Sequence, residues 1–287
     1  VQNTAFSTNK TLNINGNVLM LDRPKIMAIV NVTPDSFYAG SRFESESEIL
    51  KRVEKVLTEG ASLIDVGGYS SRPKAKDIPL EEEKSRVGNA IKSIVKNFPN
   101  ALISVDTFRS EIAEIAVDEG AGIVNDVSGG NLDEAMFTTI ARLNVPYVLM
   151  HMRGNPQTMT AQTNYQNLIV DIIEDLRQKA FQLRALGVKD IIIDPGFGFA
   201  KTREQNFELL NKLELFQIFN APVMVGLSRK SMIWKTLEIN PDDALNGTTA
   251  LHAIAAMKGA TLFRVHDVKE CRQVLKLVDL IKSSSTG

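Results

Sequence analysis

The chain carries one cysteine, Cys271, which excludes an intrachain disulfide and any metal centre built from clustered thiolates. Within the helical pattern "VKECRQVLKLVDLIK" it reads as a packing residue. Long apolar runs are also missing. No window approaches the roughly 18 uninterrupted apolar residues of a membrane-crossing helix, and the stretch "VQNTAFSTNK" lacks the basic-then-apolar pattern of a secretory leader. A cytoplasmic setting is the expectation. Neither sign of charge is in excess: 33 basic and 34 acidic side chains leave a net charge of −1, spread without long blocks. That removes the electrostatic case for nucleic acid or a membrane surface and leaves a small molecule as the expected partner. The densest charged run, "LEEEKSR", reads as a solvated helix start, where acids suit the helix dipole.

What is present is a recurring short apolar run rich in β-branched residues. Eight of these stand at 25–30, 62–67, 102–106, 122–127, 146–151, 190–194, 222–227 and 261–266, separated by segments with helical periodicity. In "SESEILKRVEKVLTEG", Ser45 and Glu48 suggest a capping box, and Ile49, Val53 and Val56 share one face. Tyr165, Leu168, Ile169, Ile172 and Leu176 mark another such face. Nearly continuous apolar strands are buried on both sides, as in a parallel sheet connected by helices. Eight strand–helix units in a chain of 287 residues predict a single α/β domain, a TIM (β/α)8 barrel. The competing open sheet needs a Gly-rich fingerprint after its first strand, and "NVTPDSF" stands there instead. Residues 1–24 form an extension in which "LNINGNVLML" alternates around Asn15-Gly16, a hairpin expected to cover the bottom of the barrel. Residues 283–287, "SSSTG", read as a disordered tail.

Barrel enzymes place their chemistry at the C-terminal strand ends. Here those ends carry Asn31, Asp106, Asn125, Asp126, His151, Asp194, Ser228, Arg229, Lys230, Arg264 and His266. A buried carboxylate without partners costs several kcal/mol, so Asp106 and Asp194 need donors, from a ligand with several N–H groups or from Lys230 and Arg264 as internal ion pairs. His151 has no second histidine or carboxylate at metal spacing and reads as a hydrogen-bonded structural residue, and His252 as a helix-packing one. Two rim loops, "NVTPDSFYAGSRF" and "GGYSSRPKA", offer hydroxyls, close backbone approach and Arg72.

In order along the chain, "NVTPDSF", "DVGGYSSRP", "SVDTFR", "NDVSGG", "LMHM", "DPGFGFAK", "GLSRKS" and "RVHDV" resemble the motifs of the dihydropteroate synthases, enzymes of folate biosynthesis and targets of sulfonamide drugs. The resemblance implies condensation of a dihydropterin methyl diphosphate with 4-aminobenzoate, releasing pyrophosphate, with Mg2+ as the metal and a homodimer as the assembly. It implies that Asp194, Asn125, Asp106 and Lys230 hold the pterin edges, with Met150 and Phe199 along the ring faces. A 2-amino-4-oxo-pyrimidine edge aims an exocyclic amine and a ring N–H the same way, which suits both oxygens of one carboxylate. Arg72, Arg264 and His266 are implied as diphosphate ligands, and Asn31 as both a diphosphate-side and a metal contact. Ser71, Arg72, Pro73, Phe199, Lys230 and Ser231 are implied around the aminobenzoate. The resemblance places catalytic weight on Lys230, Arg264 and Asp35, the last as a stabiliser of positive charge or an orderer of its loop and not as a general base.

Three positions depart from the family pattern: Ser71 where threonine is usual, Ala200 where glycine is usual, and Tyr69 where a smaller or acidic residue is common. Three other functions bear weighing. A pterin-binding methyltransferase module would share Asp106, Asn125 and Asp194 but has no diphosphate to hold. An aldolase-like barrel would use Lys230 as an imine former, and a non-catalytic relative would bind pterin without releasing pyrophosphate.

Overall fold

The computed structural model describes residues 11–32, 42–69 and 77–284. The N-terminal hairpin pairs β1 (Thr11–Ile14) with β2 (Asn17–Met20) in antiparallel register. Its turn residues Asn15 and Gly16 have φ of 50° and 80°, the two left-handed positions that a tight Asn-Gly turn requires.

The barrel strands are β3 (Lys25–Asn31), β4 (Leu63–Gly67), β5 (Ile103–Asp106), β6 (Ile123–Asp126), β7 (Tyr147–Met150), β8 (Ile191–Asp194), β9 (Met224–Val225) and β10 (Leu262–Val265). They pair in parallel in the order β8-β7-β6-β5-β4-β3-β10-β9. A bridge between Ile193 and Val223, with the Ile193 N–H donating to Pro222 O at 2.8 Å, brings the two ends of the sheet together. β9 is shorter than its apolar run. Pro222 has no N–H to give, and the Val223 N–H is taken by Thr261 Oγ1 at 2.9 Å.

Helices α1 (Arg42–Glu59), α2 (Leu80–Asn97), α3 (Ser110–Asp118), α4 (Met136–Leu143), α5 (Leu168–Ala185), α6 (Arg203–Asn211), α7 (Ser231–Leu237), α8 (Leu245–Met257) and α9 (Val268–Ser284) lie between and after the strands. Two expectations need correction at helix ends. α1 begins at Arg42, so Ser45 lies inside the helix and is not its cap. α9 runs through Ser284, two residues into the stretch read as a tail. As expected, Ile49, Val53 and Val56 are buried on α1, and Leu168, Ile169, Ile172 and Leu176 on α5; Tyr165, expected on the same face, precedes α5 and gives its hydroxyl to Ala200 O at 2.9 Å.

Strand alternation sorts the side chains into two cores. Ala28, Ile64, Val105, Val124, Leu149, Ile193, Val225 and Phe263 face the helices. Met27, Leu63, Ile123, Val148, Ile192, Met224 and Leu262 point inward and close the lower barrel against Leu12, Ile14 and Leu21 of the hairpin segment, as expected. Because the period is two, the next inward positions are fixed. They are Asp65 and Gly67 above Leu63, Asn125 above Ile123, Met150 above Val148, Asp194 above Ile192 and Arg264 above Leu262.

Candidate active site

Above the apolar layer the barrel interior turns polar. Arg264 reaches across it, donating from Nε to Asp65 Oδ2 at 2.6 Å and from Nη2 to Asp106 Oδ2 at 2.6 Å. Asn125 Nδ2 donates to the same Asp65 oxygen at 3.0 Å. Thus Asp106, Asn125 and Arg264 form one network, joined by a residue that the reading of strand ends passed over. Asp65 sits in mid-strand, inside the run "LIDVG", and a carboxylate in an otherwise apolar strand was the available signal. For Asp106, the internal ion pair weighed as an alternative is the observed arrangement. Burial raises its pKa to about 7, Arg264 pulls it down, and the negative charges of Asp65, Glu83 and Asp126 oppose that pull. Against its own cost of burial, Arg264 is kept protonated by Asp65 and Asp106.

Asp194 behaves differently. Its Oδ1 accepts the Gly196 N–H at 2.7 Å, and no side chain among the described residues forms a salt bridge with it. Burial raises its pKa, opposed by that N–H and by the positive charges of Lys230, Lys201 and Arg264. The turn after β8 is obligatory in its glycine: Gly196 has φ of 76°, and a Cβ there would lie 2.0 Å from His151 O. Lys201, also absent from the sequence-level site, pins this turn from beneath. Its Nζ donates to Gly196 O at 2.9 Å and Phe199 O at 3.0 Å, and lies 3.1 Å from His151 Nδ1. Burial lowers the Lys201 pKa to about 7, and when Lys201 carries its proton Nζ can only donate and Nδ1 accepts. Burial and the charge of Lys201 hold His151 well below the ordinary histidine pKa. His151 is therefore the structural residue expected.

Lys230 enters the site from the loop after β9, its Nζ 4.3 Å from the Phe199 ring centroid. Burial and Arg264 lower its pKa to about 8, with Asp194 and Asp106 pulling the other way. Met150 and Phe199 belong to a separate apolar cluster at this end, with Val127, Met152, Met159 and Ala200. A flat heterocycle placed above Asp194 would have this cluster beside it.

The strand-end residues do not all face the site. Asp126 turns outward and accepts from Tyr147 Oη at 2.7 Å and from the N–H groups of Ser128 and Gly130, fixing the turn after β6. Arg229, at φ of 53°, binds both carboxylate oxygens of Asp267 at 2.9 Å, so the backbone turn sends it away as it sends Lys230 inward. The His266 N–H donates to Ser228 Oγ, and its carbonyl accepts from Arg52 at 2.7 Å. Ser231 opens α7 and is exposed, as is Asn31 at the end of β3. Asp35, Ser71, Arg72 and Pro73 lie outside the described residues.

A sequence-family model described as "Pterin binding enzyme" matches residues 27–266. The chain belongs to the pterin-binding enzyme family. Within that family it is 42% identical to a dihydropteroate synthase of Clostridium beijerinckii, over 91% of this chain and 95% of the relative. It is 46% identical to the folic acid synthesis protein fol1 of Pneumocystis carinii over 89% of this chain, which spans 36% of that longer protein. The solved Xanthomonas albilineans dihydropteroate synthase with 4-aminobenzoic acid has a TM-score of 0.88 and 37% identity, covering 96% of this chain and 99% of that one. The fold expected from sequence is the fold of the family.

Proposed function

We propose that this chain is a dihydropteroate synthase, joining (7,8-dihydropterin-6-yl)methyl diphosphate to 4-aminobenzoate with release of pyrophosphate. The observation that carries the reading is one convergence. Inward-facing Asp106, Asn125 and Asp194 stand at the ends of three barrel strands, beside an apolar cluster and two cations, Lys230 and Arg264, in a chain whose relatives carry that activity.

Asp194 offers the pyrimidine edge an acceptor on a rigid turn, with Ile192 and the layer below keeping water from competing. Asn125 faces the other edge, and Asp106 the reduced ring. Arg264 presents Nη1, which has no hydrogen bond among the described residues, toward a diphosphate. Charge grows on pyrophosphate as the C–O bond breaks, so preorganised cations favour the transition state over the ground state. The aminobenzoate nitrogen then attacks the electron-poor methylene. His266 and Arg72 on the diphosphate, Asp35 near the developing cation, and Ser71, Arg72, Pro73 and Ser231 around the aminobenzoate rest on resemblance alone.

Mg2+ belongs to the same proposal. Among the described residues no three His, Cys, Asp or Glu side chains gather as a metal site. The exposed amide of Asn31 fits an ion held otherwise by water and diphosphate oxygens, the ligands Mg2+ prefers. When bound, such an ion supplies positive charge to the leaving group. A homodimer is proposed through α8 and α9, which pack together and leave Ile254, Met257, Leu277, Leu280 and Ile281 exposed. A cytoplasmic setting is proposed from the resemblance.

Mixing the chain with the pterin diphosphate, 4-aminobenzoate and Mg2+ is expected to release pyrophosphate and form dihydropteroate in equal amounts. Tight binding of methyltetrahydrofolate without any pyrophosphate release would favour the methyltransferase module instead.

A further inference from the structure

Asp65 is fully buried in the middle of β4, one inward position below Gly67, between Ile29 of β3 and Ser104 of β5. Nothing of its side chain reaches the rim, so it cannot touch a ligand held at the strand ends. Yet its single oxygen Oδ2 accepts from both Arg264 Nε at 2.6 Å and Asn125 Nδ2 at 3.0 Å. The other oxygen, Oδ1, has no hydrogen bond among the described residues, and neither does Ser104 Oγ across the register. Within that set, Arg264 and Asn125 are therefore the groups that hold the carboxylate, and it holds them.

We propose that Asp65 is a positioning residue for this reaction: one buried oxygen fixes the side chains of Arg264 and Asn125 together, setting the spacing between the amide that reads the heterocycle and the cation that faces its leaving group. The inference rests on the function proposed above. Its physical basis is the different standing of the two acids on Arg264. A guanidinium is a rigid planar fork, so anchoring Nε from beneath fixes the plane in which both Nη groups lie. Asp65 is the inner anchor, with no exposed surface. Asp106 grips Nη2 from the ligand side and is slightly exposed. When a ring N–H of the heterocycle takes one of Asp106's lone pairs, Arg264 keeps Asp65 as counter-charge and is not left buried and unpaired. Asn125 is committed in the same way. With Nδ2 turned down to Asp65, the amide oxygen is fixed as the outward-facing atom, so Asp65 also decides which end of the amide meets the heterocycle.

The test is a double-mutant cycle on pyrophosphate release with Asp65→Asn, Arg264→Gln and the two combined. Asp65→Asn keeps shape and removes the charge and one acceptor. It is expected to lower kcat/KM on the order of 10²-fold. If Asp65 acts through Arg264, the double variant loses clearly less than the product of the two single losses, and what it loses beyond Arg264→Gln alone is the share that Asp65 exerts through Asn125. Losses that multiply in the double variant, or an Asp65→Asn enzyme within about threefold of wild type, overturn the proposal. A wild-type chain that releases no pyrophosphate overturns the function itself, which the cycle distinguishes from failure of Asp65's role. Should Asp65→Asn not fold, the wild-type chain still decides. The Arg264 Nε–H, followed by 15N NMR, is expected to exchange with solvent more slowly than those of exposed arginines, both alone and with pyrophosphate bound. Rapid exchange in either case contradicts the anchoring.

Discussion

Asp106 and Asp194 tolerate burial by different means, and the difference predicts their behaviour. As the anion Asp106 offers acceptors on both oxygens, protonation turns one of them into a donor, and burial among Arg264, Asp65, Glu83, Asp126 and Lys230 raises its pKa to about 7. Affinity for a pterin lacking the diphosphate is therefore expected to weaken as pH falls below about 7, measured by titration calorimetry. Asp65→Asn should move that limb to lower pH, since it removes a negative neighbour and leaves Arg264 to Asp106; a limb that stays put would contradict the coupling. At Ala200 the backbone takes φ of 49°, a left-handed conformation that disfavours any residue with a Cβ. Ala200→Gly relieves that strain and is expected to raise stability by about 1 kcal/mol in urea melts, with no loss of activity. Among individual residues, those on alternating inner-face positions at strand ends were legible in the sequence. Asp65 was not, because it stands in mid-strand, where an inward position ordinarily carries an apolar side chain. Asp126 and Arg229 also stand at strand ends but turn away, because neighbouring residues at a rim point in opposite directions and only the backbone turn decides which faces inward.

At the scale of elements, α8 holds a buried histidine that the proposed reaction does not use. His252 sits edge-on to Phe263, ring centroids 5.6 Å apart, with neither ring nitrogen hydrogen-bonded among the described residues. Burial lowers its pKa from 6.5 to about 4, with Asp267 weakly opposing. Between those values the unfolded chain binds a proton that the folded chain refuses. Stability is thus full above pH 6.5 and falls as pH drops toward 4, by on the order of 3 kcal/mol from this group. His252→Leu is expected to flatten that part of the stability–pH curve; an unchanged slope would assign it to other groups. The hairpin was fully legible, since Asn-Gly between alternating strands leaves few other conformations. Helix starts were less so. Ser45 and Glu48 have the spacing of a capping box, but such spacing also occurs inside helices, and the chain had already become helical at Arg42.

For the whole molecule, the barrel was legible because eight apolar runs between helical segments admit few arrangements that bury both faces of every strand. The apolar surface of α8 and α9 predicts a dimer in sedimentation equilibrium, and Leu277→Glu with Ile281→Glu is expected to yield monomers; a wild-type monomer at micromolar concentration would refute it. In the proposed reaction the barrel holds two kinds of chemistry at one rim, an acid-and-amide grip on a flat ring and cations for its phosphorylated arm. The most direct test of that division is the binding of a bare pterin and of pyrophosphate, each titrated separately into Asp194→Asn and Arg264→Gln. Asp194→Asn is predicted to weaken the pterin on the order of 10²-fold and leave pyrophosphate within a few-fold, and Arg264→Gln to do most of its damage to pyrophosphate. Equal losses of both ligands in both variants, or none in either, would contradict the account.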